Sequence, residues 1–114
     1  MNELILNIQK LEESGIFDEL AQIEFKNWKA ILEHEQAKEG LLNNLVVREW
    51  LEDCERQILG IESDLLSDKE MDSMVRNRLL DKRACYKGMI QKFKPNEVEI
   101  EEIKRGVEDN LTQI

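Results

Sequence analysis

From Val47 onward, apolar residues return at Leu51, Cys54, Ile58, Ile61 and Leu65, at spacings of 4, 3, 4, 3 and 4. A 3.5-residue period is the seam of a helix lying along another helix. Asn43 and Asn44 stand just before it, and an Asn side chain can accept from the free N–H groups of a first helical turn. The pattern predicts a helix over 45–66, about 33 Å long. Val46, Trp50, Leu59 and Leu66 widen the stripe, so contact with more than one neighbour is expected.

Ser67-Asp68-Lys69-Glu70 has the capping-box form, with Ser and Glu each able to satisfy the other's backbone N–H. A second helix over 68–94 is therefore expected after almost no loop, and a short connection makes the two helices antiparallel neighbours. Its seam reads Met71, Val75, Leu79, Lys82, Tyr86, Met89 and Phe93, at spacings of 4, 4, 3, 4, 3 and 4. Lys82 is the lapse, its methylene stem able to lie along the groove with the ammonium in water. Pro95 ends the helix, because the residue before a proline is pushed out of the α region. Gly60 and Gly88 each cost about 1 kcal/mol relative to Ala inside a helix; close backbone approach at a crossing is the expected compensation.

Asn96 can cap a further helix over 96–114, with the stripe Ile100, Ile103, Val107, Leu111 and Ile114, weakened by Gly106. At the other end, Leu4, Ile5, Ile8 and Leu11 form a short amphipathic helix closing near Ser14-Gly15. Phe17, Leu20, Ala21, Trp28, Ile31 and Leu32 suggest a longer one, from whose main face Ile23 and Phe25 fall away, with Gly40 as its stop. The fold class expected is all-α: a small helical bundle built on an antiparallel α-hairpin (about 45–66 and 68–94) with flanking helices at both ends. Residues 1–114 are read as one domain, five helices around one core with the hairpin as its spine.

Composition agrees. The chain has 114 residues, one Pro, five Gly and 5% aromatics, too little turn and aromatic content for a sandwich or barrel and too short for two comfortable domains. No apolar run reaches the roughly 20 residues a membrane span needs. The segment Met-Asn-Glu-Leu-Ile-Leu-Asn has neither a basic start nor a long apolar stretch, so a cytoplasmic location is expected. Cys54 and Cys85 lack disulfide or metal spacing and read as small buried apolar residues.

Charge is unevenly placed. The net value is −9, yet residues 67–95 carry four acids and eight bases, against six acids and two bases over 41–66. An acidic helix folding back on a basic one accounts for the reversal, although each exposed pair contributes only about 0–1 kcal/mol. The alternative, a basic face (Arg76, Arg78, Arg83, Lys87) that contacts nucleic acid, works against the overall negative charge.

No constellation fixes a reaction. His34 is the only histidine, in Glu33-His34-Glu35, but no Glu stands three residues before it, so the Glu-x-x-His pattern of di-iron bundles is absent. A solvated surface histidine is the plainer reading. The glycines are isolated, so no loop cradles phosphate, and paired acids such as Glu12-Glu13 read as solvated helix faces. No catalytic residue, cofactor or metal is expected. Trp28 and Trp50 are the residues of interest, since Trp is both a core residue and a binding hot spot; core is the reading preferred for Trp50, and Trp28 is left open. Met71, Met74 and Met89 read as gap-filling core.

The stretch Val47-Arg48-Glu49-Trp50-Leu51, through Arg78-Leu79-Leu80 to Phe93-Lys94-Pro95, resembles small helical proteins encoded by bacteriophages and prophages. That resemblance implies virion assembly factors, adaptors or inhibitors of host proteins, working in the host cytoplasm. The function expected is a non-enzymatic protein–protein interaction module, a homo-oligomer or an assembly subunit. Candidate interaction residues are Leu4, Ile8, Leu11, Trp28, Trp50, Ile103, Val107 and Leu111, with the terminal stripes docking on another chain. The alternative is an acidic inhibitor that fills a basic nucleic-acid groove on a host protein, with Glu97, Glu99, Glu101 and Glu102 as its face.

Overall fold

A computed structural model describes residues 1–68 and 70–114; Lys69 of the expected capping box lies outside the described residues. All regular elements are α-helices: α1 (Asn2–Glu13), α2 (Glu19–Leu42), α3 (Leu45–Ser67), α4 (Ser73–Gln91) and α5 (Glu97–Leu111). Among the described residues there is no strand. Where the sequence suggested five helices round one core, the chain divides into two compact units, one of Met1–Glu39 with Pro95–Ile114 and one of Gly40–Lys94. The hairpin is thus an insertion between two parts of a discontinuous unit.

The first unit holds α1, most of α2, and α5. Asp18 caps α2, its carboxylate accepting from the Ala21 N–H at 2.9 Å, and Gly15, at φ +76°, makes the turn that closes α1. Residues Ala21, Phe25, Trp28, Leu32 and Glu35 recur at helical spacing and face inward, with Phe25 and Leu32 fully buried. Phe25, expected off the main face, is its centre, while Ile23 is half exposed. Nor does Gly40 stop α2, which runs on to Leu42. Glu12 accepts from Gln22 through its carbonyl and pairs with Lys29, and Asn2 meets Gln36, so α1 runs antiparallel to α2. Asn96 meets Glu35 and Gly106 meets Trp28, so α5 is antiparallel to α2 as well. Ile8, Leu11, Phe25, Leu32, Ile103 and Val107 close one core among the three helices.

The second unit is the hairpin. Asn44 caps α3, accepting from the Val46 and Val47 N–H groups. The α3 seam is the expected one: Cys54, Ile58 and Ile61 are buried, and Val47, Leu51 and Leu65 are half-buried. The connection to α4 differs. Ser67 stays in the last turn of α3, its hydroxyl donating to the Asp64 carbonyl, and Asp72 caps α4 by accepting from the Met74 N–H at 3.0 Å. Trp50 meets Phe93, Glu62 meets Arg83, and the Leu65 carbonyl accepts from Arg76, so α3 and α4 run antiparallel.

The glycines separate into two kinds. A Cβ at Gly60 or Gly88 would meet nothing within 4 Å, so no close crossing compensates for either. A Cβ at Gly106 would stand 2.8 Å from the Trp28 ring, a contact that leaves room only for glycine. Gly60→Ala and Gly88→Ala are therefore expected to raise stability by about 0.5–1 kcal/mol each. Gly106→Ala is expected to lower it by about 1–3 kcal/mol through overpacking. Denaturant unfolding followed by circular dichroism checks all three; stabilisation by Gly106→Ala would refute the Trp28 packing.

Candidate interaction face

Two helices share one seam, and a hairpin therefore has two open faces. On one of them charged and apolar side chains mix: Glu62 lies 3.8 Å from Arg83 and 3.5 Å from Lys87, and Arg76 reaches the Leu65 carbonyl across the same edge. Leu59 and Leu66, three residues before and four after Glu62, stand exposed on the same side of α3. Arg76 and Arg83 are half-buried against α3, and Lys82, expected in the seam, is exposed. Arg76, Arg83 and Lys87 thus turn toward the acidic helix while Arg78 and Lys82 do not, and the apolar stripe of α4 is turned partly away from α3. Not one α4 residue is fully buried.

The opposite face is mostly apolar. Residues three to four apart share a side of a helix, which groups Val46 with Trp50 on α3 and Val75, Leu79, Tyr86 and Met89 on α4, leading to Phe93, with Lys82 as the one charge within the α4 row. The rings of Trp50 and Phe93 meet edge to face, their centroids 5.9 Å apart, which joins the two groups into one surface. Val46 is 72% exposed, Trp50 42%, Val75 45% and Met89 39%. Trp50, Met74 and Met89 are therefore not the core residues expected, and the residues predicted to widen the α3 stripe, Val46, Leu59 and Leu66 included, stand exposed. Cys54 is buried and Cys85 exposed.

No family model, characterised protein or solved structure matches this chain.

The other candidate residues fall elsewhere. Ile8, Leu11, Ile103 and Val107 are buried in the first unit's core, and Leu4, Leu111 and Trp28 pack against that core. The terminal stripes cover each other, which leaves neither free as the docking edge expected from the sequence. Trp28 is a core residue, its ring 5.6 Å from Phe25 and seated on Gly106. Of the acidic set, Glu97 and Glu99 stand in the first turn of α5, where carboxylates favour the helix N-terminus. Glu99 is further tied to Asn96 by hydrogen bonds in both directions. Glu101 and Glu102 are exposed. Of the basic set, Arg76, Arg83 and Lys87 engage α3, and Arg78 is exposed. His34 is exposed, and among the described residues no group of three or more His, Cys, Asp or Glu could hold a metal ion. No helix among them is long and apolar enough to cross a membrane.

Sequence reasoning missed one charged residue of consequence. Glu35 is only 5% exposed, with the Lys38 ammonium 2.7 Å from one carboxylate oxygen and the Asn96 N–H donating to the other at 3.2 Å. It sits in the α2 seam and fastens the start of α5. Burial disfavours its charge, but Lys38 and the Asn96 N–H outweigh that, and His34 adds a little, so its carboxyl titrates below the ordinary value. A carboxyl with a depressed folded-state value contributes stability above its unfolded value and loses it as pH falls through the folded one. The wild type is thus expected to exceed Glu35→Gln by about 1–3 kcal/mol at neutral pH, the gap closing below pH 4.5. Urea titrations of both proteins at neutral and acid pH measure this; a constant gap would refute the ionised pairing.

Proposed function

We propose that this chain is a non-enzymatic protein–protein interaction module that binds through the apolar face of its 40–94 hairpin. The observation that carries the reading is the exposure of Val46, Trp50, Val75 and Met89 along one side of two paired helices. Isolated exposed apolar residues are ordinary, whereas a contiguous apolar surface rimmed by charge marks an interaction site. An aromatic pair with a methionine beside it is the composition that binding surfaces favour. An adaptor or assembly subunit, as the resemblance to phage-encoded helical proteins implies, would use such a face.

The competing readings have less support. A basic nucleic-acid site would need Arg76, Arg83 and Lys87 free, and each has a partner on α3. An acidic mimic would rely on Glu101 and Glu102, since Glu97 and Glu99 already serve the start of α5.

Capture of partners from a cell extract by the immobilised protein, compared with Val75→Glu and Met89→Glu, tests the reading. The expected outcome is a defined partner, retained at high salt and lost with either variant, since apolar contacts are insensitive to screening that weakens exposed charge pairs. Capture that survives both variants and disappears with salt would replace this reading with the acidic one.

A further inference from the structure

The apolar face lies between two helices of opposite charge. Helix α3 has six acids and two bases, and α4 has five bases and one acid. The charges extend to this face: by helical spacing, Asp64 stands on its α3 side, Arg78 borders it on the α4 side, and Lys82 stands within the α4 row between Leu79 and Tyr86. A surface acidic along one long edge and basic along the other is complementary to a copy of itself turned by half a rotation.

We infer that the occupant of this face is a second copy of the chain, the two hairpins forming an antiparallel four-helix bundle. The inference rests on the reading of this face as a binding surface and names its partner. Charge selects the symmetry. A twofold axis parallel to the helices lays α3 of each copy over α4 of the other, acid on base. An axis across the helices lays α3 over α3 and α4 over α4, which opposes like charges. In the first arrangement each helix keeps its level along the axis. Trp50, beside Phe93 in its own hairpin, then meets the second copy's Phe93 and Met89 as well. Glu62 faces Arg83 and Leu65 faces Arg76 within one hairpin, so Asp64 stands level with the second copy's Arg78 and Lys82. Such an interface is isologous, each contact occurring twice. It also gives α4, with no residue fully buried in a single copy, the second neighbour that its half-covered Leu79, Tyr86 and Phe93 lack.

Sedimentation equilibrium on the full chain, over a concentration series at low and moderate salt, tests this. The expected mass is twice 13.4 kDa, falling to one copy in Val75→Glu and Met89→Glu with helicity unchanged. Both side chains are substantially exposed in a single copy, so their loss leaves the hairpin intact. Asp64→Lys and Lys82→Glu alone are each expected to weaken self-association by roughly three- to tenfold, since each opposes like charges twice per pair. The double variant Asp64→Lys/Lys82→Glu restores it. Single copies throughout the series would overturn the self-pairing, as would a dimer indifferent to Val75→Glu and Met89→Glu. Weakening in both single variants without recovery in the double variant would overturn the α3-over-α4 arrangement. A single-copy protein that still captures another protein through Val75 and Met89 refutes this inference alone; a protein that neither pairs nor captures refutes the reading of the face itself.

Discussion

A helix that meets one neighbour can hide one stripe, and which stripe is hidden is decided where its polar side chains find partners. In the hairpin that decision falls to Glu62. Its carboxylate is shared by Arg83 and Lys87, one turn apart on α4, and Arg76 reaches the Leu65 carbonyl two turns before Arg83. Each contact is individually weak at this exposure. Together they set the rotation of α4 about its own axis: the guanidinium stems lie in the groove against α3, and the apolar row from Val75 to Phe93 is carried toward open water. The exposed face lies where the charges do not pair.

The same constraint separates what was legible in the sequence from what was not. The α3 seam could be read residue by residue, because six apolar positions hold one period without a charged residue among them. On α4 the period was equally clear, but period alone reports that a helix has a greasy side, not which neighbour the side meets. Lys82 read as a lapse in the seam when it belongs to the exposed face, and the pairing of acidic and basic helices did not say that Arg83 and Lys87 would share Glu62. In α2, Glu35 occupies a seam position that an apolar count skips, and with Glu35 omitted, Phe25 looked misplaced. The missing signal was a partner, the Asn96 N–H, lying far along the chain.

The terminal stripes were misjudged for a related reason. Each was correctly seen as amphipathic, and each was assigned to an external partner. The neighbours are at the opposite end of the chain: Ile8 and Leu11 of α1 meet Ile103 and Val107 of α5 in one core. Local patterning specifies that a face must be buried, whereas the choice of cover depends on pairings of high sequence separation. The fit of Trp28 on Gly106 illustrates it, since the glycine looks like a weak point in α5 until the indole above it is known.

These two units distribute their apolar residues differently, and the proposed function rests on the difference. In the first unit three helices meet, and six side chains are buried together. A buried carboxylate is tolerated there because it is paired and hydrogen-bonded on both oxygens. In the hairpin two long helices meet, and only Cys54, Ile58 and Ile61 are buried. The hairpin pairs its charges internally and leaves Val46, Trp50, Val75 and Met89 exposed, and the proposal that another molecule covers them rests on that contrast.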